Sequence, residues 1–85
     1  MTGHVDGNAL AGPLSELFQF DVTTASARCV SCGDVATLAC AMVYVEPASM
    51  IVRCRSCDGV LMVLVQEPEL TCIELRGMAW LQVPR

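Results

Sequence analysis

Two C-x-x-C pairs constrain this chain more than any other feature: Cys29 with Cys32, and Cys54 with Cys57. Twenty-one residues, 33–53, separate the pairs, which is close to the spacing typical of four-cysteine metal sites. Each pair offers two thiolates from one tight turn, and two such turns facing each other complete a tetrahedral site. The four cysteines are therefore predicted to bind one metal ion, with Zn²⁺ as the first choice.

The same ligands leave an alternative open, because rubredoxin-like proteins hold iron with four cysteines and transfer electrons. Such proteins favour a glycine directly after both pairs. Here Gly33 follows Cys32, but Asp58 separates Cys57 from Gly59. A thioredoxin-like dithiol would need a motif that opens a helix, and neither pair precedes a helical pattern. A rubredoxin-like iron electron carrier that serves an oxidoreductase is thus the alternative to a zinc protein.

A structural metal suits the length of the chain. At 85 residues a hydrophobic core alone gives marginal stability, whereas zinc contributes about 10–16 kcal/mol to the folding of zinc-binding peptides. We expect a flexible arm over residues 1–7 and a single zinc-ribbon-like domain over 8–85, with an N-terminal helix over 8–20.

The composition is apolar, but no segment is long enough to cross a membrane. Hydrophobic residues make up 54% of the chain and the mean hydropathy is +0.54, yet the longest apolar run, 60–65, has six residues. A membrane-spanning helix needs about 20. The first residues also lack the basic and apolar regions of a secretion signal. These features predict a cytoplasmic protein, in which thiols stay reduced and bind metal.

The charge of the chain argues against a nucleic-acid partner. The formal net charge is −4, and the basic residues are five arginines without any lysine. Nucleic-acid binding normally requires a clustered basic face. The surplus of apolar residues instead favours a protein partner or self-association, including a homodimer.

The spacing of apolar residues predicts one helix followed by strands. Leu10, Leu14, Leu17 and Phe18 form one apolar stripe at helical spacing. We favour docking of this stripe on the domain's own core over docking in the groove of a partner. From residue 23 the pattern becomes β-like, with strands placed at 25–28, 37–45, 50–53, 60–66, 71–76 and 80–83. The strand over 60–66 is apolar on both faces, which predicts that it is covered on each side.

A candidate strand precedes and follows each pair of cysteines. Gly33 and Asp58 can adopt the left-handed backbone conformation that metal-binding turns often need. The predicted fold class is therefore a small β-rich zinc ribbon, with antiparallel strands, two C-x-x-C knuckles and one N-terminal α-helix.

The remaining reactive side chains do not assemble an active site. Cys40 and Cys72 lie in apolar, β-like segments and are expected in the core. His4, the only histidine, precedes any rigid element and is expected to be solvated. Four thiolates also leave a tetrahedral ion no open position. We expect no catalytic residues, no enzymatic activity and no cofactor besides the metal.

The N-terminal motif D-G-N-x-L-A-G-P-L over residues 6–14 precedes the four cysteines. With them it resembles an uncharacterised family of short bacterial proteins that have a zinc-ribbon-like core. The resemblance implies metal binding by Cys29, Cys32, Cys54 and Cys57, and it implies no particular activity. The resulting hypothesis is a non-catalytic protein with structural zinc, acting as a protein-interaction or accessory module.

Overall fold

The computed structural model describes residues 4–15, 17–18 and 21–84. Eight short strands dominate it, with one short α-helix and three 3-10 helices among the described residues. In chain order the elements are β1 (Val5–Asp6), a 3-10 helix (Gly7–Leu10), α1 (Ala11–Ser15), a 3-10 helix (Val22–Thr24), β2 (Ser26–Cys29), β3 (Val35–Thr37), a 3-10 helix (Leu38–Cys40), β4 (Met42–Val45), β5 (Ser49–Arg53), β6 (Val60–Gln66), β7 (Thr71–Glu74) and β8 (Met78–Gln82).

The strands form two antiparallel sheets. The larger has the order β1-β4-β5-β6-β7, and the smaller has the order β3-β2-β8. The segments that contain the cysteine pairs connect β2 to β3 and β5 to β6, so each pair lies at the turn of a hairpin. The predicted small β-rich fold with antiparallel strands, two C-x-x-C knuckles and an N-terminal α-helix is confirmed, although the helix is short.

One hydrophobic core receives side chains from both sheets and from the N-terminal segment. Its fully buried large side chains are Leu10, Leu14, Leu38, Val43, Val52 and Leu64. Ala27 and Cys29 of the smaller sheet belong to the same cluster. Burial of a leucine or valine side chain stabilises a fold by about 1.5–3 kcal/mol, so these few residues supply much of the apolar stabilisation.

The N-terminal motif closes this core. The Asp6 carboxylate accepts a hydrogen bond from the backbone N–H of Asn8 at 3.0 Å and so caps the first 3-10 helix. Leu10 and Leu14 are buried, and Phe18 packs against the core, whereas Leu17 is exposed. Docking of the apolar stripe on the domain's own core is therefore confirmed for three of its four residues.

The N-terminal elements differ in length from the predicted ones. The helix expected over 8–20 is a 3-10 helix followed by the five-residue α1, and residues 16, 19 and 20 lie outside the described ones. Within the arm expected over 1–7, Val5 and Asp6 pair with Val43 and Met42 of β4. Residues 1–3 lie outside the described part of the chain.

Several strands also differ from prediction. The strand expected over 37–45 is interrupted by the 3-10 helix at residues 38–40, where the Leu38 N–H donates to the Ala25 carbonyl at 2.9 Å and the Leu38 side chain enters the core. This break lets the chain pass from one sheet to the other. Strand β6 lies next to the edge strand β7, and Val63 and Val65 are only half-buried. The prediction that both faces of this strand are covered was thus wrong for the described residues.

No helix in the described part of the chain is long and apolar enough to span a membrane.

The two glycines of the N-terminal motif provide a test of this packing. A Cβ atom on Gly7 would lie 1.5 Å from the Leu38 carbonyl oxygen, whereas one on Gly12, in α1, would meet nothing within 4 Å. We expect Gly7→Ala to lower the free energy of unfolding by about 2–3 kcal/mol through overpacking. Gly12→Ala should leave it unchanged or raise it by up to about 1 kcal/mol. Urea titrations of both variants measure this difference, and equal midpoints would contradict the close packing of Gly7 on Leu38.

Candidate metal centre

The two cysteine turns are built alike. In the first knuckle, residues 29–34, the Cys29 N–H donates to the Asp34 carbonyl at 3.0 Å, and the Gly33 N–H donates to the Cys29 carbonyl at 2.9 Å. Each bond therefore joins the first cysteine to the residue four or five positions later. These two bonds close a tight turn that projects both cysteine side chains to one side.

The second knuckle, residues 54–59, repeats both bonds. The Cys54 N–H donates to the Gly59 carbonyl at 2.7 Å, and the Asp58 N–H donates to the Cys54 carbonyl at 3.0 Å. Gly33 (φ 80°) and Asp58 (φ 64°) hold the equivalent left-handed position. Asp58 is the only non-glycine residue with positive φ among the described ones. The prediction that it substitutes for glycine in this turn is confirmed.

Together the knuckles bring four sulfur atoms into one cluster. The Sγ atom of Cys29 lies 3.6 Å from that of Cys57, and the Sγ atoms of Cys32 and Cys54 are also 3.6 Å apart. All four lie within 4.8 Å of one another. Zn–S bonds of about 2.3 Å place tetrahedral sulfurs about 3.8 Å apart, so the cluster fits a tetrahedral metal ion.

Backbone amides point at the sulfurs in the same pattern in both knuckles. The Ser56 N–H donates to the Cys54 sulfur at 3.4 Å, and the Gly59 N–H donates to the Cys57 sulfur at 3.3 Å. In the first knuckle the backbone amides of Ser31 and Asp34 donate to Cys29 and Cys32, again two positions after each cysteine. Such bonds favour the negatively charged thiolate, which is the form that binds metal.

The cluster has a buried side and an exposed side. Cys29 and Cys54 are buried and belong to the hydrophobic core, whereas Cys32 and Cys57 are exposed. An ion bound there would join the core to the surface, and it would connect the hairpin β2–β3 to the hairpin β5–β6.

An ion pair connects the knuckles a second time. The Arg55 guanidinium donates to Asp34 through Nε at 3.0 Å, and a second nitrogen lies 3.5 Å from the other carboxylate oxygen. This guanidinium holds the pKa of the Asp34 carboxyl below its usual range. The sequence alone could not identify this ion pair, because Asp34 and Arg55 are twenty-one positions apart.

The other candidate residues lie outside the cluster of four. Cys40 and Cys72 are exposed, so the expectation that they belong to the core was wrong. Cys40 ends a 3-10 helix and accepts a weak hydrogen bond from the Thr37 hydroxyl at 3.5 Å, whereas Cys72 lies on the edge strand β7. His4 is exposed, with its ring 5.6 Å from that of Tyr44.

The chain belongs to a protein family described as a family of unknown function (DUF6510), which matches residues 1–85. No curated protein and no solved structure matches it. The family match covers the N-terminal motif and both knuckles, and it assigns no activity to them.

The pKa values of the Cys29, Cys32 and Cys57 thiols are shifted in different directions. Burial raises the pKa of the Cys29 thiol, but hydrogen bonds from backbone amides and neighbouring thiols outweigh it and lower the pKa to about 7. At Cys32 the Asp34 amide lowers the pKa, while burial and the three other thiols raise it to about 12. The Gly59 amide likewise lowers the pKa of Cys57, but burial and the Cys29 thiol raise it overall.

This unequal titration predicts a steep pH dependence of metal binding. Since Cys32 and Cys57 keep their protons at neutral pH, binding of an ion must displace at least two protons. The logarithm of the zinc association constant should therefore rise by at least about 2 per pH unit between about pH 6 and 8. Competition titrations with a chromophoric chelator, corrected for the chelator's own protonation, measure the slope. A slope clearly below about 2 would contradict this arrangement of protons.

Proposed function

We propose that this protein is a non-catalytic metal-binding module in which one Zn²⁺, held by Cys29, Cys32, Cys54 and Cys57, fastens two small sheets together. The observation that supports it most is the convergence of four sulfurs from two hairpins of different sheets within 4.8 Å. A tetrahedral ion with four thiolates has no open position for a substrate, which favours a structural role over catalysis.

The proposed action of the module is to present a stable surface to a protein partner or to a second copy of itself. The net charge of −4 does not suit a nucleic-acid partner. Two arginines near the four cysteines form ion pairs with acidic residues: Arg55 with Asp34, and Arg53 with Asp58 at 3.8 Å. Six free thiols suit a reducing cytoplasm.

An iron-binding electron carrier is the second candidate, because iron accepts the same four thiolates. Two observations favour keeping it. Backbone amides donate to the sulfurs, and such bonds tune the potential of iron–sulfur sites. Cys32 and Cys57 are also exposed, so an electron partner could approach a bound ion from their side.

Metal analysis and an absorption spectrum of untagged protein, purified from its native host without chelators, separate the two candidates. We expect one zinc per chain and no visible absorption bands. One iron per chain, with colour that bleaches reversibly on reduction, would instead establish the electron carrier.

Two matched cysteine substitutions test the structural role. Cys57→Ser removes a ligand, so we expect loss of the metal and of the cooperative thermal transition, because metal binding and folding are coupled. Cys72→Ser alters an exposed cysteine on an edge strand and should keep one metal per chain and the melting temperature of the natural protein. Elemental analysis and circular dichroism melts give both values. A Cys57→Ser protein that loses the metal yet melts like the natural one would show that the metal is not structural.

A further inference from the structure

An ion pair between the two knuckles lies beside the four cysteines. Arg55 directly follows Cys54 in the second knuckle. Asp34 ends the first knuckle, two positions after Cys32. Two nitrogens of the guanidinium face the two carboxylate oxygens, at 3.0 and 3.5 Å. Paired contacts of this kind are stronger and more directional than a single hydrogen bond, so the pair restrains both the distance and the orientation between the two turns.

The backbone of Asp34 contacts both ligands of its own knuckle. Its carbonyl accepts the hydrogen bond from the Cys29 N–H at 3.0 Å, and its N–H donates to the Cys32 sulfur. The side chain of the same residue reaches the second knuckle through Arg55. Asp34 therefore couples the two ligands of one turn to the residue that follows a ligand of the other turn.

The pair also lies beside the buried ligands of the site. Asp34 and Arg55 line a small cavity of ≈ 10 Å³ that reaches Cys29 and Cys54, the two buried cysteines of the cluster. A space of this size holds about one water molecule. The ion pair thus borders the side of the site that packs against the core, where little room is left for water or a chelator.

A second arginine near the site differs from Arg55 in what it joins. Arg53 precedes Cys54 and donates to the Asp58 carbonyl at 2.9 Å, with the Asp58 carboxylate at 3.8 Å. Both of its contacts are therefore made to the second knuckle alone. A divalent ion with four thiolates carries a charge of about −2, which either arginine can offset, but of these two only Arg55 connects the knuckles.

The exposure of the two side chains determines how large an effect to expect. The side chain of Arg55 is 48% exposed and that of Asp34 is 25% exposed, so water screens part of their attraction. Residues that support metal ligands typically change metal affinity about 10- to 100-fold. A partly exposed pair belongs at or below the lower end of this range.

We propose that Arg55 and Asp34 form a positioning pair that holds the two knuckles closed around the metal ion. Neither side chain is a ligand, and the pair acts through the cysteines to which its backbone is joined. Its loss lets the knuckles separate more easily, so the metal is bound less tightly and leaves sooner. The inference rests on the proposed metal-binding function and identifies residues outside the ligand set that control how firmly the ion is held.

Two arginine variants of the metal-loaded full chain test the proposal. We expect Arg55→Gln to lower the zinc association constant about three- to tenfold and to speed zinc loss to excess chelator by a similar factor. Arg53→Gln is the matched control, because it removes the same charge on the other side of Cys54 but breaks contacts within one knuckle only. It should change both quantities less than about twofold. Equal effects of the two variants would overturn the proposal, since charge alone would explain them.

The direction of the effect at Asp34 separates positioning from charge. If these residues acted through charge alone, Asp34→Asn would remove a negative charge near the thiolates and strengthen zinc binding. Positioning predicts the opposite, a loss of about threefold, because Arg55 loses its charged partner. The double variant should bind zinc no more weakly than Arg55→Gln alone, since the pair is already broken. Tighter binding by Asp34→Asn, or additive losses in the double variant, would overturn the positioning role.

A milder variant keeps the test valid if Arg55→Gln fails to fold. Arg55→Lys retains the charge but replaces the two-nitrogen contact with a single ammonium group, so we expect a loss of about two- to threefold. Natural affinity in this variant would overturn the proposal. The natural protein in the same titrations separates the two proposals. Absence of zinc binding there would refute the metal site itself, whereas equal zinc binding by the natural protein and all variants would refute the positioning role alone.

Discussion

The cluster of four sulfurs connects parts of the molecule that backbone hydrogen bonds do not join. The hairpins β2–β3 and β5–β6 belong to different sheets, and each ends in a knuckle that points two cysteines at the other. Backbone pairing stabilises each hairpin internally, but the strand pairings of the described residues do not join one sheet to the other. An ion held by four thiolates would supply that connection at the end of the molecule where the hairpins turn.

The hydrophobic core continues this connection inward. Cys29 and Cys54 are part of the buried cluster, so the metal ligands and the apolar side chains form one continuous interior. Leu10 and Leu14 close it from the N-terminal segment, and the approach of Gly7 to the Leu38 carbonyl allows that segment to lie close to the chain crossing between the sheets. A chain of 85 residues can bury only a small core. The N-terminal motif and the knuckles therefore pack their side chains into the same hydrophobic core.

The apolar composition has a consequence on the surface as well. Only one face of the larger sheet packs against the core, and Tyr44, Ile51 and Val63 remain half-buried on the other face. Arg53 lies over the Tyr44 ring at the margin of this face and also donates to the Asp58 carbonyl of the second knuckle at 2.9 Å. This side of the larger sheet is thus adjacent to the second knuckle of the metal centre.

Much of the metal centre could be predicted from the sequence because the features that define it lie within a few neighbouring residues. The spacing within each C-x-x-C pair, the left-handed position at Gly33 or Asp58, and the flanking hairpins all depend on a few neighbouring residues and on the chemistry of thiolates. The helical stripe that carries Leu10 and Leu14 was visible for the same reason.

The arrangement of the sheets depended instead on contacts between residues far apart in the chain. A strand that is apolar on both faces gives no signal for which face is covered, so the exposure of the outer side of β6 could not be predicted. The exposure of Cys40 and Cys72 followed from a chain crossing and a sheet edge, neither of which an apolar run reveals. The sequence alone determined the ligands and their turns, because these rest on local geometry; only the tertiary structure decided which surfaces meet, because packing depends on segments that the chain brings together from a distance.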